Sequence, residues 1–147
     1  VNKNMKEKNL KIPIHIKEID ILDINIAFPG PIIQENKMFH YNINLQHKIN
    51  QENKLVFVET SVEVLDQNKE TRFAKLRVSC AYYVEELLRF KSDENDKLIN
   101  LPSDFISTLN SISLSTTRGI MYSSFRGTFL HNAILPVLDP NKFRTGK

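Results

Sequence analysis

The sequence predicts an α+β fold: a four-stranded antiparallel sheet with a short and a longer helix packed on one face. Three observations support this. Apolar residues alternate with a period of two in four stretches between Lys11 and Val84. Short polar turns separate the later stretches, which favours an antiparallel meander. Beyond Lys97 the apolar spacing changes to that of a helix.

Residues 1–10 read as a solvated, disordered N-terminus, because the lysines between Lys3 and Lys11 have only Asn4, Met5, Glu7, Asn9 and Leu10 among them. The first strand occupies the isoleucine run from Lys11 to Ala27. Alternation holds from Ile12 to Ile16, shifts phase at Ile19 and shifts again after Leu22, as a bulge or a change of packing face would produce. Pro13 favours an edge position, and Pro29-Gly30-Pro31 ends the run. In the second strand Phe39, Tyr41, Ile43, Leu45 and His47 alternate with polar residues, leaving one polar face. Asn50-Gln51-Glu52-Asn53 turns the chain into a third strand, Lys54 to Leu65, with Val56, Val58, Thr60, Val62 and Val64 on one side. Asp66-Gln67-Asn68-Lys69 turns it again. In the fourth strand Ala74, Leu76, Val78, Cys80, Tyr82 and Val84 alternate with Lys75, Arg77, Ser79, Ala81 and Tyr83. Lys91 to Lys97 is charged and aperiodic, hence a loop. Ser103 caps a short helix bearing Phe105, Ile106 and Leu109. Asn110 to Ser115 is ambiguous, and a longer helix starts near Thr116, carrying Ile120, Met121 and Phe125 towards Gly127. Residues 11–143 form one domain, and 144–147 a basic tail.

Composition narrows the function classes. With 147 residues, 41% hydrophobic and 25% charged, the chain can bury a substantial core. A net charge of +3 is too small and too scattered to argue for nucleic acid. Binding through Lys75, Arg77 and the terminal basic residues is the weaker alternative, with steep salt dependence as its signature. Cys80 is the single cysteine, so no intramolecular disulfide forms, and its place in a strand suits a buried, inert thiol. No apolar run has membrane-spanning length, and the polar start lacks a signal-peptide core, so a cytoplasmic location without membrane insertion is expected. His15, His40, His47 and His131 are dispersed; His40 and His47 point to opposite faces of one strand. The four glycines are isolated, excluding a phosphate loop. No catalytic constellation, metal site or cofactor is expected, and the chain does not read as an enzyme.

The segment Ser123-Ser124-Phe125-Arg126-Gly127-Thr128-Phe129, followed by Ile134-Leu135-Pro136-Val137, joins an amphipathic helix to an apolar return. Gly127 suits a C-terminal cap, and Arg126 suits the negative end of the helix. Arg126, Gly127, Thr128 and Phe129, then Leu135, Pro136 and Val137, resemble the end of the long helix in the SecB protein-export chaperones. The order of elements agrees with that family over roughly residues 11–143. Lys17-Glu18-Ile19-Asp20-Ile21 before Phe28-Pro29 also looks like the family's opening strand. The family's Pro-Tyr-Ala-Arg-Glu lead-in is replaced by Ser115-Thr116-Thr117-Arg118-Gly119. The chain stops soon after Phe143, so the last helix and acidic tail that help the family dock on SecA are not expected, which argues against SecA as a partner. The resemblance implies an ATP-independent chaperone holding unfolded polypeptides in apolar grooves between sheet and helix, with Phe39, Tyr41, Tyr83, Leu87, Phe90, Leu101 and Phe105 as candidate contacts. The alternative in the same fold is a dedicated partner of one protein, such as a toxin–antitoxin chaperone or adaptor. The family's dimers and tetramers, which use sheet edges and the long helix, imply a homo-oligomer here. The outward residues Lys75, Arg77 and Ser79 are polar and ill suited to an interface core.

Overall fold

The structure, a computed structural model, describes residues 11–27 and 38–143. The expected disordered start, the Pro29-Gly30-Pro31 break and the basic tail lie outside the described residues. Strands β1 (Ile14–Ile26), β2 (His40–Asn50), β3 (Leu55–Leu65) and β4 (Arg72–Val84) form one antiparallel sheet. A 3₁₀ turn at Leu87–Phe90, the helix α1 (Ser103–Ser124) and a second 3₁₀ turn at Pro140–Lys142 follow.

The strand order is β1-β4-β3-β2. The meander expected of consecutive strands therefore holds from β2 to β4, while β1 crosses to the far side and pairs with β4. Polar turns set the meander. The Asn50 side chain accepts from the Asn53 N–H, and Asp66 Oδ1 accepts from the N–H groups of Glu70 and Thr71 at 2.7 and 3.0 Å. Such Asx contacts replace ladder bonds where the chain reverses.

Both phase slips in the isoleucine run are bulges. The pairing of β1 with β4 shifts between Ile16 and Glu18, and again between Ile21 and Asp23. Each extra residue returns the next isoleucine to the same face. Ile14, Ile16, Ile19, Ile21, Ile24 and Ile26 consequently stand opposite Val84, Tyr82, Cys80, Val78, Leu76 and Ala74. β1 is an edge strand, in keeping with Pro13 just before it.

The core lies between this face and α1, with Val56, Val58, Val62, Leu76, Val78 and Tyr82 from the sheet fully buried. The helix is continuous over 22 residues, against the expected short helix, break and second helix. Ser103 is its first residue rather than its cap; Pro102 occupies the cap position and no side chain caps the end. Propensity fails here because Asn110, Ser113 and Thr117 lie on the buried face with Phe105, Leu109, Leu114 and Met121. Their polar groups are satisfied in place. Thr117 Oγ1 donates to the Ser113 carbonyl at 2.8 Å. The Tyr82 hydroxyl donates to the Leu109 carbonyl at 3.3 Å and shares a 2.6 Å bond with Ser113 Oγ. Small hydroxyl residues thus let the helix lie close to β4 at no polar penalty.

Candidate functional site

After α1 the chain turns back and runs beside the helix towards its start. Phe125 closes the helix, and Gly127, two residues on, has φ +77°. Only glycine adopts this left-handed conformation without strain. Thr128 then locks the turn, its backbone N–H and hydroxyl both donating to the Phe125 carbonyl at 3.1 and 2.8 Å. Arg126 is exposed beyond the last helical turn, its guanidinium 5.2 Å from the Tyr122 ring centre. Phe129 stacks edge-on with Phe73 at 5.6 Å, and Phe73 with Phe39 at 6.2 Å. The motif therefore delivers an aromatic ring to the start of β2.

Two helix side chains hold the returning backbone. Arg118 Nε donates to the Leu135 carbonyl at 2.8 Å, and its Nη2 to the Pro136 carbonyl at 2.9 Å. Two turns earlier, the fully buried Asn110 donates Nδ2 to the carbonyls of Pro140 and Phe143 at 3.3 and 2.6 Å. Its Oδ1 accepts from His47 Nε2 at 2.6 Å, which ties β2, α1 and the return together and fixes the imidazole tautomer. Sequence reasoning missed Asn110 and His47 in this role. The available signal was a polar residue at the helical spacing of a buried face.

The candidate contacts do not converge on one groove. Phe39 and Tyr41 are half-buried at the β2 start, beside Phe73 and Phe129. Burial pushes the Tyr41 hydroxyl above its ordinary pKa, offset in part by its bond with the Ile134 backbone. Leu101 lies at the other end, lining a cavity of about 160 Å³ with Ile106, Asn110, Pro140 and Phe143. Leu87 is fully buried and Phe105 is 8% exposed, both within the core. Phe90 is half-buried in the 3₁₀ turn before the charged loop. Tyr83 follows the inward Tyr82 and so belongs to the opposite, polar face of the sheet. On that face Arg77 donates Nε and Nη2 to Glu59 Oε1 at 3.1 and 2.6 Å, beside an open cavity of about 260 Å³ lined also by Asn44, Gln46, Ser61 and Lys75. Cys80 is buried, and desolvation raises its thiol pKa, in keeping with an inert side chain.

No protein-family model matches the sequence, nor does any curated protein. Among solved structures, the Mycobacterium tuberculosis SecB-like chaperone Rv1957, in complex with a ChAD peptide from the HigA1 antitoxin Rv1956, superposes with a TM-score of 0.59. The match covers 85% of this chain and 89% of that one, at 15% identity. The fold is SecB-like. A protein of unknown function from Streptococcus agalactiae aligns at a TM-score of 0.34 and 12% identity, over 78% of this chain and 88% of that one, too remote to carry an argument. In this SecB-like frame the Arg126–Phe129 step is the corner joining the long helix to its apolar return. No described helix is long and apolar enough to cross a membrane.

Proposed function

We propose that this chain is a cytoplasmic SecB-like chaperone that holds non-native polypeptide segments on apolar surface without ATP. The observation that carries the reading is the uncovered apolar surface around the return. Val137 is 94% exposed, Met38 67% and Ile134 50%; Met38 precedes half-buried Phe39 in the chain, and the Ile134 backbone bonds half-buried Tyr41. Side chains of this size expose apolar area on a rigid sheet-and-helix support, which suits extended segments of varied sequence. Burying one large client side chain there is worth about 1.5–3 kcal/mol.

The solved neighbour was captured with an antitoxin peptide, and this favours a second reading in the same fold: a dedicated partner of one protein. Light scattering of several unrelated aggregating proteins separates the two. A general holder slows aggregation of all of them, and Phe39→Ser with Tyr41→Ser weakens the effect. A dedicated partner leaves them unprotected. Tyr83→Ser alters the opposite face and serves as the comparison. Full protection by the Phe39/Tyr41 double variant, with its circular dichroism unchanged, removes this surface from the reading.

A further inference from the structure

We propose that Arg118 is the positioning residue of the client surface, and that it acts by turning Val137 outward to meet an apolar side chain of a bound polypeptide. This role rests on the chaperone reading of that surface. Its ground is a slip in the burial of the return. Ala133 and Leu135 are each 1% exposed and Ile134 between them is 50% exposed, the alternation of an extended chain lying on the core. Continued by two residues, that alternation would bury Val137. Val137 is instead 94% exposed, and Leu138 is the residue that packs against the core. The phase changes by one residue at Pro136.

The slip coincides with the clamp from the helix. Arg118 donates from Nε to the Leu135 carbonyl at 2.8 Å and from Nη2 to the Pro136 carbonyl at 2.9 Å. Successive carbonyls of an extended chain point to opposite sides, so two of them meet one guanidinium only where the backbone turns. Pro136 does not impose that turn by itself, because its fixed φ is also compatible with extended backbone. Among the described residues Val137 and Leu138 make no hydrogen bond, so Arg118 alone holds the turn from the polar side. Arginine suits the task because its donors form a fixed fork, whereas a lysine ammonium is a single point charge. Its neighbours Thr117 and Met121 lie on the buried face of α1, which gives the guanidinium a rigid base. A valine exposed this fully forgoes favourable burial beside a core edge, and the clamp opposes its collapse.

Two readouts decide the matter, and the first needs no client. Val137→Cys places a reactive thiol at the site, while Cys80 is buried and stays silent. Its alkylation should be fast in the parent chain. Adding Arg118→Ala should slow it about threefold or more, as the inward state comes to dominate. A return that Arg118 merely steadies would label as fast or faster once released, and that result overturns the proposal. Arg118→Lys keeps the charge and most of the stem without the fork, so it should slow labelling too. It carries the test if the alanine variant loses its fold by circular dichroism. The second readout is affinity for an unfolded protein that the parent chain holds. Arg118→Ala should weaken it about tenfold, the contribution of one apolar contact. In a chain already carrying Val137→Ser, the same change should weaken it little further. Equal losses in both backgrounds would make Arg118 a general brace and overturn its positioning role. A parent chain that protects no client overturns the chaperone reading instead, whereas the labelling rates still decide the orientation of Val137.

Discussion

Asn110 offers the sharpest test of how the return is held. Its side chain is fully buried and makes three bonds, to His47, Pro140 and Phe143. Asn110→Ala removes all three, leaving the His47 N–H and the Phe143 carbonyl without these bonds and the Pro140 carbonyl with only the long 3.5 Å bond from the Phe143 N–H. A buried group left unpaired costs about 1–3 kcal/mol. Pro140 and Phe143 are only half-buried, so their carbonyls recover part of this with water, and a total loss of about 3 kcal/mol follows. For a chain of this size that lowers the melting temperature by about 6–12 °C. Asn110→Asp separates lost donors from lost volume. It keeps the acceptor for His47 but turns negative oxygen towards two carbonyl oxygens, so at neutral pH it should cost at least as much as alanine. Urea unfolding gives the magnitudes, and hydrogen exchange shows whether the segment around Lys142 and Phe143 loosens first. An alanine variant within about 0.5 kcal/mol of wild type would refute the reasoning. So would an aspartate variant as stable as the parent.

Gly127→Ala should destabilise by about 1 kcal/mol, purely from its φ of +77°, since an added Cβ meets nothing within 4 Å; a neutral or stabilising result would show that the corner relaxes. Tyr82→Phe should cost about 1 kcal/mol and leave Ser113 Oγ without its 2.6 Å partner, so adding Ser113→Ala should cost less than it does alone. Burial raises the Cys80 thiol above its ordinary value of 9.0, so the folded state favours the protonated form. Stability is then full below pH 9 and declines as pH rises through the raised value, and alkylation of Cys80 at pH 8 should require unfolding. Fast labelling of the native chain at that pH would contradict the burial.

Much of this architecture was legible because period two is hard to disguise. The valines of β3 and the even residues of β4 fell on the inner face as read, and even the slips of the isoleucine run corresponded to bulges at Lys17 and Leu22. Two things were not legible. The placement of β1 beside β4 depends on contacts between residues about sixty positions apart, which local patterning does not encode. The continuity of α1 was hidden by Asn110, Ser113, Ser115, Thr116 and Thr117, weak helix formers held helical by Tyr82, the sheet and the return. The candidate contacts suffered from a related limit. Alternation places Tyr82 and Tyr83 on different faces, yet which face carries the helix is a tertiary fact. Leu87 and Phe105 were apolar for the ordinary reason of filling the core.

The pairing of β1 with β4 has a consequence for the order in which the molecule assembles. As the chain leaves the ribosome, the isoleucine strand emerges first, but the strand it needs is completed only when Val84 has been made. The hairpins between β2, β3 and β4 close over short turns and can form early, whereas docking of β1 waits on a long-range closure. During that interval seven isoleucines between Ile12 and Ile26 travel without a partner, the interval in which nascent chains are most prone to aggregate. The isoleucine strand thus passes through a stage in which it is exposed, and only the completed β4 covers its edge.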